Sequence, residues 1–564
     1  MAAADDHELT RRQFLAGAAG LGLGIWAGAR LPESVWAAEA SAGPAVVNRS
    51  TYSKKLLFGY QGWHGTPGDG SAMDQWQAWC DWNTVPSPAT LTVDLWPDLS
   101  GISRRHLVDS GLRYPDGSPA YLYSAYRPAV VNAHFRWMRT YGIDGVFLQE
   151  FSVWLEPGSK LRAFRDGVTA NVVRAAEATG RVFALMYDVS GAQPEDLVRY
   201  IRSHWKAMER RVVASRRYLH HDGHPLVALW GLGFAGADYA ATPALAHELL
   251  DFFEQRGVTV MGGVPTYWRL GIRDAKPGSQ WASVFRRFAI ISPWTGNRYG
   301  DRTAAVGYAR LILAGDVAEA ARAGAELVPV VYPGISAHNR DSVSRPGEEQ
   351  PLNVVPRLGG AFWWTQMKAF HEAGATTFYG AMYDEVDEGT AMYKLAPNAT
   401  RLPVGPTLLA LDADGYALPS DWYLRLAGAA TTRLRKGTPF EAVPPLALPG
   451  GAEWPPPDGT PLIDALTPAV AAAGQQVTIS GAGFGAVQGA GYVSFGDDKT
   501  AWGAPGCAAT FDLRSWSDGR IVFTVPTPSG PNGIYHVEPG SVATAAVTNA
   551  AGRESFPAPL LIGS

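Results

Sequence analysis

The sequence predicts an α/β chain: a (β/α)8 TIM-type barrel followed by a C-terminal immunoglobulin-like β-sandwich. Three observations carry this. Between Lys54 and Lys436, eight short apolar runs alternate with amphipathic helical stretches. The runs read as apolar on both faces, as parallel strands covered by helices are. Beyond a proline-rich stretch at 437–461, the pattern changes to short alternating segments separated by Gly, Pro and Asp turns, with no helix signal. A doubly wound open sheet is the competing arrangement for the first region.

At the N-terminus, Thr10-Arg11-Arg12-Gln13-Phe14-Leu15 precedes a Gly/Ala-rich apolar run to Ala29, then Val35-Trp36-Ala37 ahead of Ala38. Paired arginines, a moderately apolar core and a small-residue cleavage site resemble a twin-arginine export signal over 1–38, which implies a periplasmic or extracellular protein. A membrane anchor fits less well, because the run is short and glycine-rich, and no later segment is long enough to span a bilayer. Residues 39–53 read as a loose segment.

The barrel strands are expected at Leu56–Gln61, Asp144–Phe151, Arg181–Val189, Pro225–Gly231, Val258–Pro265, Phe288–Trp294, Glu326–Gly334 and Thr377–Tyr383. Helical stretches fall near 130–140, 160–179, 193–208, 242–256, 302–323 and 361–373. A last helix, Asp421 to Lys436, is expected to be capped by Ser420. The Gly-rich loop Gly62–Gly70 carries Trp63 and His64, and the long aromatic stretch 72–127 reads as ordered loop, which in a compact domain is usually functional. The linker 437–461 is semi-rigid by composition. Sandwich strands are expected at Gln476–Ser480, Tyr492–Phe495, Arg520–Val525, Ile534–Val537 and Ala545–Thr548 within 462–564.

Nearly every apolar run ends, on its C-terminal side, in groups suited to binding. These are Tyr60, Gln61 and Trp63; Gln149 and Glu150; Tyr187 and Asp188; Trp230; Thr266, Tyr267, Trp268 and Arg269; Trp294 and Arg298; and Tyr332, Ser336, His338 and Asn339. In a barrel all these ends meet around one mouth. The eighth run delivers Asp384, Glu385, Asp387 and Glu388, within Gly374–Thr390. On a turn, Glu385 and Glu388 become neighbours about 5–6 Å apart at Cβ, and Gly389 permits such a bend. Two carboxyl groups so spaced suit glycoside cleavage, one handling the leaving-group proton and the other acting as base or nucleophile. A solvated acidic loop and a cation site are the alternatives for the same four acids.

Composition narrows the classes further. The 564 residues are 46% hydrophobic with a net charge of −4, so a core is assured and no polyanion-binding bias exists; nucleic acid is not an expected partner. The 20 Trp are many for this length; aromatic side chains are the usual platforms for sugar rings, although most Trp in any protein simply packs. Cys80 and Cys507 are expected to be free thiols, with no disulfide framework or Cys metal site. No phosphate loop, dinucleotide fingerprint, His-Glu-x-x-His helix or G-x-S-x-G turn occurs. His220-His221-Asp222 with His224 precedes a strand, at the end of a barrel opposite its mouth, and reads as a polar turn rather than a metal site. No metal or cofactor is expected.

Two regions carry family resemblances. Pro468, Gly474–Gly485, Gly489-Ala490-Gly491-Tyr492-Val493, Trp516 and Ile521–Pro526 resemble the IPT/TIG domain, usually a spacer or interaction module, implying docking to a surface or protein. Phe58–Trp63, Gly142–Phe147, Met186-Tyr187-Asp188, Ser292-Pro293-Trp294, Tyr332-Pro333-Gly334 and Tyr383–Thr390 resemble the glycoside hydrolase family 71/99-like proteins. Where endo-α-mannosidases of family 99 carry Asn-Glu-Trp-His-Glu-Gly-Thr, this chain has Asp384-Glu385-Val386-Asp387-Glu388-Gly389-Thr390. The resemblance implies an oligo- or polysaccharide substrate. It makes Glu385 the base that helps the sugar 2-hydroxyl attack its own anomeric carbon, and Glu388 the acid and then base, with retention. The departures at Asp384, Val386 and Asp387 leave the sugar unassigned, and added charge beside the pair would raise a glutamate pKa. A non-catalytic carbohydrate-binding or adhesion protein is the competing class.

Overall fold

The computed structural model describes residues 44–497, 501–502, 512–527 and 537–564. The export-signal reading of 1–38, Cys507 and most of the expected strand Ile534–Val537 lie outside the described residues.

Eight parallel strands close into a barrel. They are β1 (Leu56–Tyr60), β2 (Gly145–Phe151), β3 (Val182–Asp188), β4 (His224–Trp230), β5 (Thr259–Val264), β6 (Ile290–Pro293), β7 in two pieces (Glu326–Leu327 and Val330–Val331) and β8 (Phe378–Gly380). Each pairs in parallel with the next, and β8 returns to β1 with Leu57 opposite Tyr379. The seam is at β7, where Pro329 cannot donate to a ladder. Before it, Glu326 and Leu327 pair with β6; after it, Val330 and Val331 pair with β8. The strand therefore changes neighbours at its proline. The open-sheet alternative does not hold, because an open sheet leaves two unpaired edges.

The strands are short and buried on both faces because helices cover them outside and side chains fill them inside. Helices Pro128–Tyr141, Lys160–Thr179, Pro194–Met208, Pro243–Glu254 and Ala361–Glu372 form most of the outer ring. The stretch expected as one helix at 302–323 is continuous but passes through a π turn at Ala309–Leu313. The last helix spans Trp422–Lys436 with Asp421, not Ser420, at its cap: Trp422 N–H donates to Pro419 O, so the preceding turn takes up one more residue. His220–His221 forms a tight antiparallel pair with the start of β4, and His221 pairs with Glu326 at the floor of the barrel. Cys80 is buried and free.

The C-terminal domain is a two-sheet sandwich. Leu462–Thr467, Gln476–Ala482, Arg520–Thr524 and Leu513–Ser517 form one sheet. Val470–Ala471, Ala558–Ile562, Val542–Thr548, Tyr492–Gly496 and Ala501–Trp502 form the other. Ile479, Val493, Phe523, Val547 and Leu560 are buried between them. Phe556 leaves this core and packs on the barrel, its ring 5.7 Å from that of Tyr308 and 6.5 Å from that of Tyr267.

Candidate active site

After β8 the chain makes a closed loop: Tyr383 N–H donates to Gly59 O at 2.8 Å and Met382 N–H to Thr390 O at 3.3 Å. The four acids lie between these two ties, with a turn over 386–389. Gly389 ends the turn at φ +67°, and a Cβ there would meet Ser336 N at 2.6 Å, so only glycine fits.

Asp384 faces back into the barrel wall. Its carboxylate accepts from the backbone N–H groups of Gln61 at 2.7 Å and Gly62 at 2.9 Å, locking the end of β1 to the end of β8. His64 Nε2 donates to Asp384 O at 3.3 Å, and its ring stacks 4.0 Å from that of Trp79. Burial lowers the pKa of His64 to about 3, so it stays neutral. Asp384 is a brace between strands, not an open contact.

Glu385 is 5% exposed, and among the described residues its donors are neutral: Gln61 Nε2 at 2.7 Å and Thr390 Oγ1 at 2.6 Å. Burial, then repulsion from Glu388 and Asp387, pushes its pKa well above the usual carboxylate range. Glu388 has the opposite surroundings. Its side chain is 37% exposed and accepts from Arg340 Nη1. Asp387 is 8% exposed, and among the described residues its Oδ1 has no hydrogen-bond partner. Burial and the Glu388 charge raise it to about 7, against the opposing pull of Arg340.

Glu388, Arg340, Thr390, Trp294, Asn297 and Tyr332 border a cavity of about 100 Å³ at the mouth. Two aromatic groups flank the mouth. Trp63 stacks on Phe151 at 5.6 Å and meets Trp154 at 6.2 Å. Trp230 contacts Phe234, Tyr239 and Trp294 at 4.9, 6.1 and 5.2 Å. Gln149 Nε2 donates to Asp188 at 3.0 Å, and Asp188 also accepts from Ser190. Burial lifts Asp188 to about 6, with those donors opposing.

Several residues expected at the mouth are placed elsewhere. Tyr60 points outward to bond His134 at 2.9 Å, and Glu150 is held by Arg165 at 3.1 Å and Thr169 at 2.7 Å on the covering helix. Both neighbour an inward glutamine, and successive strand side chains alternate. Tyr267 packs against Phe556, and Trp268 lies fully buried beside Phe285. Asn339 braces Val93 O and Thr407 O at 2.9 and 2.6 Å, while Tyr332 borders the cavity but directs its hydroxyl away to Tyr299 O. His338 Nδ1 bonds Gln350 O at 2.9 Å. Sequence reasoning missed Arg340, one residue beyond His338-Asn339, and Asp94 in the long loop. Asp94 accepts from Ser336 Oγ, His338 N and Asn339 N at 2.5, 2.8 and 2.8 Å, while its own N–H and that of Leu95 donate to Val386 O. Among the described residues, no three His, Cys, Asp or Glu side chains are grouped as metal ligands.

Residues 461–542 match the IPT/TIG domain. A comparison with curated proteins finds no match. Among solved structures, a family 99 endo-α-mannosidase from Bacteroides thetaiotaomicron is similar at 14% identity and a TM-score of 0.48, over 68% of this chain and 99% of its own. An exo-β-1,4-mannosidase from an Opitutaceae bacterium is similar at 14% identity and 0.34, over 59% and 63%. A family 17 β-1,3-glucanosyltransferase from Rhizomucor miehei is similar at 10% identity and 0.29, over 50% and 91%.

Proposed function

We propose that this protein is a retaining glycosidase that cleaves an oligo- or polysaccharide through Glu385 and Glu388. One observation carries it: at the mouth of the barrel a buried glutamate with, among the described residues, no cation beside it feels the charge of a second glutamate that opens to the cavity. Two carboxyl groups in such different surroundings, one buried among neutral donors and one exposed beside an arginine, suit an acid and base pair.

In this reading, which follows the resemblance of 384–390, Glu385 removes the proton of the sugar 2-hydroxyl as that oxygen attacks the anomeric carbon. Glu388 protonates the departing oxygen, leaving a 1,2-anhydro sugar. Water then attacks the anomeric carbon as Glu388 takes its proton, and Glu385 returns the other to O2. The configuration is retained. Burial makes Glu385 a strong base once ionised. Gln149 and Asp188, with Trp63, Trp230 and Trp294, contact the glycan; the chain reaches it by twin-arginine export to the periplasm or cell exterior, and the sandwich docks it to a surface or protein.

The test is a screen of α-linked mannans, glucans and plant polysaccharides with chromatographic product analysis. Glu385→Gln and Glu388→Gln are each expected to lower the rate about 10²–10⁴-fold. Full activity in Glu388→Gln overturns the assignment. A second reading is a non-catalytic glycan-binding protein, in which the aromatic groups around Trp63 and Trp230 hold the sugar. Binding without product release over long incubation selects it.

A further inference from the structure

The two glutamates differ in the charge of their donors. Helix His338–Ser344 begins after β7 with two backbone N–H groups on the Asp94 carboxylate, which fixes the direction of its first turn. From that turn Arg340 reaches the acidic loop. Its Nη1 donates to Glu388, and its Nε and Nη2 donate to Asp341 Oδ1 at 3.4 and 3.2 Å. The Asp341 side chain is fully buried and also holds Arg345 at 2.9 Å. The guanidinium is thus anchored behind and presented in front. Among the described residues, the donors at Glu385 are an amide and a hydroxyl, with no cation.

We propose that Arg340 is a positioning residue that keeps Glu388 ionised and leaves the proton of the pair on Glu385 in the empty site, so that substrate must part Arg340 from Glu388 before cleavage. The inference rests on the glycosidase reading and adds a step to it. Cleavage by that route starts with Glu385 ionised and Glu388 protonated, the reverse of the empty site. The two states hold the same number of protons, so activation moves one proton from Glu385 to Glu388 and takes none from solvent. Arg340 is 32% exposed and borders the cavity with Trp294 and Gln350, where sugar hydroxyls can accept its N–H groups and release Glu388. The charged and titratable groups facing Glu388 are Arg340, Glu385, Asp387 and Tyr239, with Asp341 behind the guanidinium and Asp94 beside Asp387.

The direct measurement needs no substrate. In protein carrying 13C-labelled glutamate side chains, the Glu388 carboxyl signal is assigned by its loss in Glu388→Gln and followed against pH. Glu388 is expected to titrate about one pH unit higher in Arg340→Met than in wild type, with Arg340→Lys near wild type. An unchanged Glu388 titration in Arg340→Met overturns the proposal. If that variant does not fold by near-ultraviolet circular dichroism, Arg340→Gln takes its place with the same criterion. On a glycan that wild type cleaves, the alkaline limb of kcat/KM is expected to move up by a similar amount in Arg340→Met and to return in Arg340→Lys. A merely structural role lowers the rate and leaves the limb fixed, which also overturns the proposal. Failure to find any cleaved glycan counts against the glycosidase reading alone, because the titration still decides the role of Arg340.

Discussion

At the scale of single residues, the site sets buried carboxyl groups with neutral direct donors beside one exposed glutamate that pairs with Arg340. Asp387 shows the consequence of burial most simply, since among the described residues one of its oxygens has no partner and its pKa is raised to about 7. A carboxyl group that holds its proton more tightly folded than unfolded adds stability that is complete at low pH and is lost as pH rises through its folded value. Asp384 and Asp188, each raised to about 6, act in the same direction. Urea unfolding is therefore expected to show lower stability at pH 8 than at pH 5. Asp387→Asn should recover roughly 1–2 kcal/mol at pH 8 and little at pH 4. A variant equally affected at both pH values would show that charge burial is not the cause. The cluster of acids was legible in the sequence, and so was the glycine that turns it. Which acid has a cation beside it was not, because Arg340 is 48 residues from Glu388 along the chain.

At the scale of elements, the mouth depends on segments that the strand and helix pattern does not reveal. The long loop donates the N–H groups of Asp94 and Leu95 to Val386 O, while the Asp94 carboxylate caps the helix that carries Arg340. Asp94→Ala removes one acceptor group from three donors. It is expected to cost about 1–3 kcal/mol, as buried donors left unsatisfied do, and to lower activity about 10-fold or more by letting that helix drift. Urea unfolding and steady-state rates check the two parts separately. Sequence reasoning marked the loop as functional from its length but found no role for Asp94, since a lone acid in a loop has no periodic signature. Tyr60 and Glu150 show the reverse case. Each sits at the polar end of an apolar run, yet both point into the helical layer, because register decides the face and one residue changes it.

At the scale of the whole molecule, a closed barrel and a sandwich meet through a small apolar contact reinforced by polar ones. Phe556 is 3% exposed against Tyr308 and Tyr267, and Arg302 reaches Pro455 O at 2.7 Å. Asp458, also in the linker, accepts from Arg302 N at 2.9 Å and Thr303 Oγ1 at 2.5 Å, and on the sandwich itself Asp464 pairs with Arg310 and Thr544 Oγ1 accepts from Arg273 at 2.8 Å. Phe556→Ala is expected to cost about 3–5 kcal/mol by leaving a cavity at the junction. The measurement is domain-resolved unfolding, in which the sandwich should lose its cooperative transition with the barrel. A single unshifted transition would mean that Phe556 does not couple them.

The order of eight strands, the change to β-structure after the proline-rich linker and the acid-bearing turn after β8 all follow from local pattern. Burial on both faces, turn residues and proline act over a few positions and leave their mark in the sequence. Closure at Pro329, the outward aim of Tyr60 and Glu150, and the pairing of Arg340 with one glutamate only were decided by tertiary structure. These depend on register and on contacts between distant segments, and an electrostatic environment is a sum over neighbours that the chain brings together only when folded.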